Sequence, residues 1–175
     1  MDAWLKLLGW ELGSSLFGAH LAAMLGLPYA FASHFAPSEL LRALAVYREK
    51  FEPSAQLQQP HAMVGVNVVV ADTDEEASRV FTSIQQRFTG MLRGDRGYLQ
   101  PPIDDIEDYW TPAEKAQASR MLKYSFVGSP KTVKSELHKF VEETQIQELM
   151  VASAIYDQTA RLKSYELLAS IMDGV

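Results

Sequence analysis

The sequence predicts an α/β fold built on a parallel sheet. Three observations lead there: short apolar runs alternate with longer helical patterns, a β-branched run fills residues 63–70, and 47% of the 175 residues are hydrophobic. Alternation of this kind marks βα units, because each parallel strand needs a crossover, usually helical, to reach the next. A chain of this length and composition can bury a sizeable core, and residues 1–175 are taken as a single domain.

The first strand is read at residues 10–12, followed by a Gly13-Ser14-Ser15 corner. Residues 16–25 then form a helix, which Gly26 and Pro28 stop. Residues 29–32 give the second strand. Pro37 and Ser38 open a helix to about Phe51, whose Leu40, Leu44, Tyr47 and Phe51 share one face. After a polar connection over residues 52–60, Met63 to Val70 is the clearest strand, too short and too β-branched for a helix. Thr73-Asp74-Glu75-Glu76 has capping-box spacing, and Ala77, Val80, Phe81, Ile84 and Phe88 recur at helical intervals, so a long helix is expected to about Leu92.

Residues 93–110 are rich in Gly, Pro and Asp without periodicity, and are expected to form a long mobile loop. Thr111-Pro112-Ala113-Glu114 starts another helix, and Ser129-Pro130 starts one running to about Glu143. The fourth strand is read at residues 148–155, and Asp157 caps a last helix through Leu162, Tyr165, Leu168 and Met172.

Composition excludes several functions. A formal charge of −6 without a Lys/Arg cluster argues against nucleic acid or an anionic membrane as partner. The chain has no apolar run of about 18 residues, and its start, Met1-Asp2-Ala3-Trp4-Leu5-Lys6, does not read as a signal peptide. A cytoplasmic location is expected. Cysteine is absent, which removes disulfides and thiolate chemistry, and no His, Asp or Glu pair has metal-ligand spacing in context, so no metal is expected.

The Gly13-Ser14-Ser15 corner carries the chemistry. A helix N-terminus presents unpaired backbone N–H groups and a positive dipole end, which suit a phosphate; a plain serine N-cap explains the same residues. His34, at the end of the second strand, can hydrogen-bond a ligand or act as a base, or cap its loop. His20 reads as a core or interface residue, His61 and His138 as solvated. The acidic run at residues 104–108 reads as solvated and lacks EF-hand register. Ser153 has no nucleophile-elbow context.

The stretches LGSSLFGAHLAAMLGLPYAFASHFAP, MVGVNVVVADTDEEA, SFVGSPKTV and ELMVASAIYDQTARLKSYELL, in that order, resemble the luciferase-like flavin-dependent monooxygenases, the family of bacterial luciferase. The resemblance implies a (β/α)8 barrel using reduced FMN, or in some branches the deazaflavin F420, with O2 on a small organic substrate. It runs from about Trp10 to the C-terminus and corresponds to the later half of the family barrel. A full barrel takes about 250 residues and eight strands. A half barrel of about four parallel strands with flanking helices is therefore expected. Its open edges must be closed by a homodimer, by a missing N-terminal half, or by an apolar helix built from Trp4, Leu5, Leu7 and Leu8.

By the same resemblance Gly13, Ser14 and Ser15 grip the flavin phosphate, Phe17 and Gly18 continue that turn, and Ala32 and Ser33 lie along the ribityl or ring side. The family pattern has serine where Gly18 stands, so one phosphate contact is lost or replaced by backbone. Three readings follow: a monooxygenase whose activity needs the complete barrel, a non-catalytic flavin- or phosphate-binding remnant, and a structural module without cofactor.

Overall fold

A computed structural model describes residues 9–33, 36–95 and 97–172. Five strands and six helices follow in the order β1 (Glu11–Gly13), α1 (Leu16–Leu25), β2 (Tyr29–Ala32), α2 (Leu40–Glu49), β3 (Ala62–Val70), α3 (Asp74–Leu92), α4 (Pro112–Met121), β4 (Ser125–Gly128), α5 (Pro130–Thr144), β5 (Glu148–Ala152) and α6 (Gln158–Ile171). The strands pair in the order β1-β2-β3-β4, with β5 also pairing β3. The pairings along that path are parallel. The chain divides into two compact units, one running as far as Gly65 and including Thr144–Met150, the other comprising Val66–Glu143 and Val151–Val175.

In the first unit, β1 pairs β2 with Glu11 opposite Tyr29, and β2 pairs the start of β3 with Tyr29 opposite Ala62. The helix α1 buries Gly18, Ala19, Ala22 and Ala23, small residues that let it lie close to its neighbours. It ends at Gly26, whose left-handed φ of 59° closes the last turn onto the carbonyls of Ala22 and Ala23. A single 3-10 turn at Pro37–Glu39 leads into α2, which buries Leu40, Ala43, Leu44 and Tyr47. Tyr29, Phe31, Tyr47 and Val64 complete this core. The Tyr47 hydroxyl donates to the Leu27 and His61 carbonyls and accepts from the His61 amide, fastening α2 to the segments that lead into β2 and β3.

In the second unit the later half of β3 pairs β4, Asn67 opposite Ser125 through Val70 opposite Gly128. Val69, Ala71, Ala77, Ile84, Leu122 and Ile155 form its core, with Phe81, Phe88 and Val127 packed against them. Thr73 caps α3 by accepting the Glu76 amide at 3.1 Å. Asp74, beside it, accepts from the Ser129 amide at 2.6 Å and the Thr132 hydroxyl at 3.1 Å, so one carboxylate holds the turn that opens α5. Those two donors hold the Asp74 carboxyl below its usual pKa, the Ser129 amide most of all.

The expected parallel set of four strands is present, with a membership the sequence did not give. Ser125–Gly128, left between helices in the sequence reading, enters as β4, and β5 pairs β3 off the main path. The predicted helix over residues 16–25 and strand over residues 29–32 coincide with α1 and β2. Residues 1–8, expected to supply an apolar helix, lie outside the described residues.

Candidate functional site

Strand β1 delivers the chain to Gly13, and the corner turns at Ser14 into α1. Ser15 is the N-cap, with extended backbone (φ −136°, ψ 162°) and a side-chain oxygen that accepts from the Gly18 amide at 3.4 Å. The Leu16 and Phe17 amides fall in the first turn, where backbone N–H groups have no partner within the helix. Gly13 and Gly18 let the two backbones approach: a Cβ on either would lie 3.6 Å from the other's Cα. The Phe17 side chain is 75% exposed.

Beneath the corner sit two residues the sequence reading did not single out. Tyr29 is fully buried and its hydroxyl donates to the Ser15 carbonyl at 3.3 Å. Burial pushes the Tyr29 phenol pKa well up, and the Glu11 carboxylate adds to that rise. A carboxylate oxygen of Glu11 lies 3.6 Å from where a Cβ on Gly18 would stand. Neither role shows in sequence spacing. The signal that could find them is strand register, which sets Glu11 opposite Tyr29.

The same unit holds an apolar cleft of about 440 Å³ lined by Leu12, Ala30, Ala32, Met63, Gly65 and Met150, among others. Leu12 and Ala32 immediately precede Gly13 and Ser33, so the cleft ends beside the corner. Ser33 is buried, its hydroxyl donating to the Gly65 carbonyl at 2.5 Å, while Ala32 faces the cleft. His34 lies outside the described residues. His61, expected to be solvated, is 34% exposed; it also pairs with Glu148 at 2.7 Å and packs edge-on against Trp10, at the opposite ends of the strands. His20, expected in a core or interface, is exposed.

A first-turn pair of amides, two hydroxyls and a neighbouring apolar cleft, in which Ala30, Ala32 and Gly65 lie among the larger Trp10, Phe31 and methionine side chains, form a donor set and space that fit a phosphorylated planar ligand. Gly13, Ser14, Ser15 and the Leu16 amide would hold its phosphate, and Ala30, Ala32 and Gly65 leave room for a ring.

The second unit carries a polar groove of about 620 Å³ lined by Arg79, Thr82, Gln85, Asp104, Asp105 and Glu107, among others. The long loop over residues 93–110 borders it and is fastened at several points. Thr82 accepts from the Ile103 amide, Gln86 donates to the Pro101 carbonyl, and Arg93 donates to both Tyr109 and Glu114. Ser153 donates to the Val68 carbonyl, and Asp157 caps α6 through the Ala160 amide at 2.8 Å. Among the described residues no group of three or more His, Asp or Glu side chains could hold a metal, and no helix is long and apolar enough to cross a membrane.

The family model described as luciferase-like monooxygenase matches residues 10–148. A luciferase-like monooxygenase of Escherichia coli (strain K12) is 46% identical over 164 residues, covering 94% of this chain and 49% of that protein. The crystal structure of apo-MsnO8 superposes with a TM-score of 0.77 at 34% identity, covering 95% of this chain and 51% of that one. A type II Baeyer–Villiger monooxygenase from Pseudomonas putida, solved in complex with FMN, shares the fold at a TM-score of 0.59 and 22% identity, with 95% and 48% of the two chains covered. The chain spans about half the length of the curated relatives it matches. With most of its residues under the family model and 46% identity to a relative, this chain belongs to the luciferase-like monooxygenase family.

Proposed function

We propose that this chain provides the phosphate-gripping part of a flavin site for a cytoplasmic monooxygenase acting on a small organic substrate. The observation that carries the reading is one unit holding both the Gly13-Ser14-Ser15 corner and the apolar cleft that ends beside it. Reduced FMN, when bound, would supply the two electrons with which O2 is split, one oxygen atom entering the substrate and the other leaving as water. The protein's own part is binding, orientation and water exclusion. Leu16 and Phe17 amides with Ser14 and Ser15 hydroxyls hold the phosphate, Ala30, Ala32 and Gly65 admit the ring, and Leu12, Met63 and Met150 give the cleft its apolar lining. From its sequence position two residues after Ala32, His34 is the candidate for proton handling. FMN is preferred to F420 as cofactor. The reading includes a homodimer that covers the apolar cleft face, where Leu12 and Met150 are 69% and 60% exposed.

Titration of oxidised and then anaerobically reduced FMN, followed by flavin absorbance and fluorescence, tests it. Saturable binding that weakens about tenfold in Ser14→Ala/Ser15→Ala is the expected outcome, since each lost hydroxyl contact removes about 0.5–1.5 kcal/mol. No binding at high micromolar flavin favours the structural reading. The half-length match to the relatives keeps a second reading in view, flavin binding without turnover. Oxygen uptake with a flavin reductase distinguishes the two.

A further inference from the structure

The corner's two unforeseen neighbours act on the peptide that opens α1. The Tyr29 hydroxyl donates to the carbonyl of Ser15, and that carbonyl shares a peptide plane with the Leu16 N–H, the first amide of the helix. A donor on the carbonyl polarises the peptide and makes its N–H a stronger donor in turn. It also fixes the plane, because the Tyr29 ring is fully buried and braced at 5.3 Å by the Tyr47 ring. Glu11, opposite Tyr29 in the strand register, acts the other way. Its carboxylate lies under the first turn, 3.6 Å from the position of a Gly18 Cβ, and places a negative charge in the field that an incoming anion would otherwise occupy alone.

We propose that Tyr29 and Glu11 are opposed positioning residues for the phosphate at the Gly13-Ser14-Ser15 corner, Tyr29 strengthening its grip and Glu11 limiting it. The inference rests on the flavin reading above and assigns what tunes phosphate affinity there. A Cβ at position 18 would meet the Glu11 carboxylate oxygen at 3.6 Å and a Tyr29 ring carbon at 3.8 Å, ordinary van der Waals contacts that put both residues against the first turn of α1.

The test compares FMN with riboflavin, which has the same ring and ribityl chain without the phosphate. At 3.3 Å the Tyr29 bond is longer than most O–H···O contacts, which sets the effect at a few-fold. Tyr29→Phe is expected to weaken FMN about threefold and leave riboflavin unchanged. Glu11→Gln is expected to tighten FMN about fivefold at low salt, with the gain shrinking as salt rises, again without moving riboflavin. A general loosening of the unit would shift both flavins alike, and that result overturns the proposal. So does an FMN-to-riboflavin ratio unmoved in either variant while the wild type prefers FMN. Equal affinity of the wild type for the two flavins removes the phosphate-grip reading itself, and the proposal with it. Thermal unfolding by circular dichroism checks that Tyr29→Phe folds; should it fail to fold, Glu11→Gln decides alone.

Discussion

At Gly26 a single residue ends α1 with φ 59°, and a Cβ there would meet the Glu52 carbonyl oxygen at 2.5 Å and the Ser54 backbone N at 2.9 Å. Both are backbone atoms and cannot swing aside. Gly26→Ala combines a left-handed penalty of about 1–2 kcal/mol with overpacking of similar size, so urea denaturation is expected to show a loss of about 2–4 kcal/mol. Glu114 gives the residue-scale pH dependence. The Arg93 guanidinium first, then the Thr111 amide and hydroxyl, hold its carboxyl down to about 2 from an ordinary 4.5. A depressed folded-state pKa contributes stability above the unfolded value and loses it as pH falls. The wild-type melting temperature should therefore drop between pH 4.5 and about 2 by more than that of Glu114→Gln. Equal slopes would remove Glu114 from the acid response.

Among the elements, α1 is the most legible and the most unusual. Its stop at Gly26 and Pro28 is written in the sequence, while its exposed Phe17, Met24 and Leu25 are not what an outer helix normally shows. Gly18 sits inside this helix, and its Cβ position meets neighbours only at 3.6–3.8 Å. Gly18→Ala is expected to stabilise the protein by about 0.5–1 kcal/mol, measured by chemical denaturation, because glycine costs that much within a helix. Strand β4 was not legible. Ser-Phe-Val-Gly is four residues long, has no run of alternation, and becomes a strand through pairing with β3, Asn67 bonding Ser125 58 residues away. The hydroxyl of Tyr47 was equally hidden. An apolar face predicts its burial, whereas its bonds to Leu27 and His61 need two segments brought together, and Tyr47→Phe should cost about 1–3 kcal/mol in the same denaturation assay.

For the whole molecule, the apolar cleft face leads to the proposed homodimer. Sedimentation velocity of the wild type is expected to give a dimer, and Leu12→Lys/Met150→Lys a monomer, since two charges on that face cannot be buried unpaired. A wild-type monomer at high micromolar concentration would count against closure by a second copy. The loop over residues 93–110 bears on the same scale. Its bonds to Thr82 and Gln86 and from Arg93 run to α3 and α4 in its own unit. Hydrogen exchange should show the Ile103 amide, which donates to Thr82, slower than the Asp104 amide that follows it, within a segment that opens more readily than β3.

The sequence by itself determined the α/β class, the limits of α1 and β2, the caps at Thr73, Thr111 and Asp157, and the corner on which the site is built. These are local matters: a cap, a stop or a period needs only residues within a turn or two of each other. Tertiary structure decided which strands pair, that Glu148 meets His61, that Asp74 holds the Ser129 turn, and that Glu11 and Tyr29 lie beneath the Gly13-Ser14-Ser15 corner. Each of those depends on register between distant segments, and a strand's side chains reverse faces with a shift of one residue.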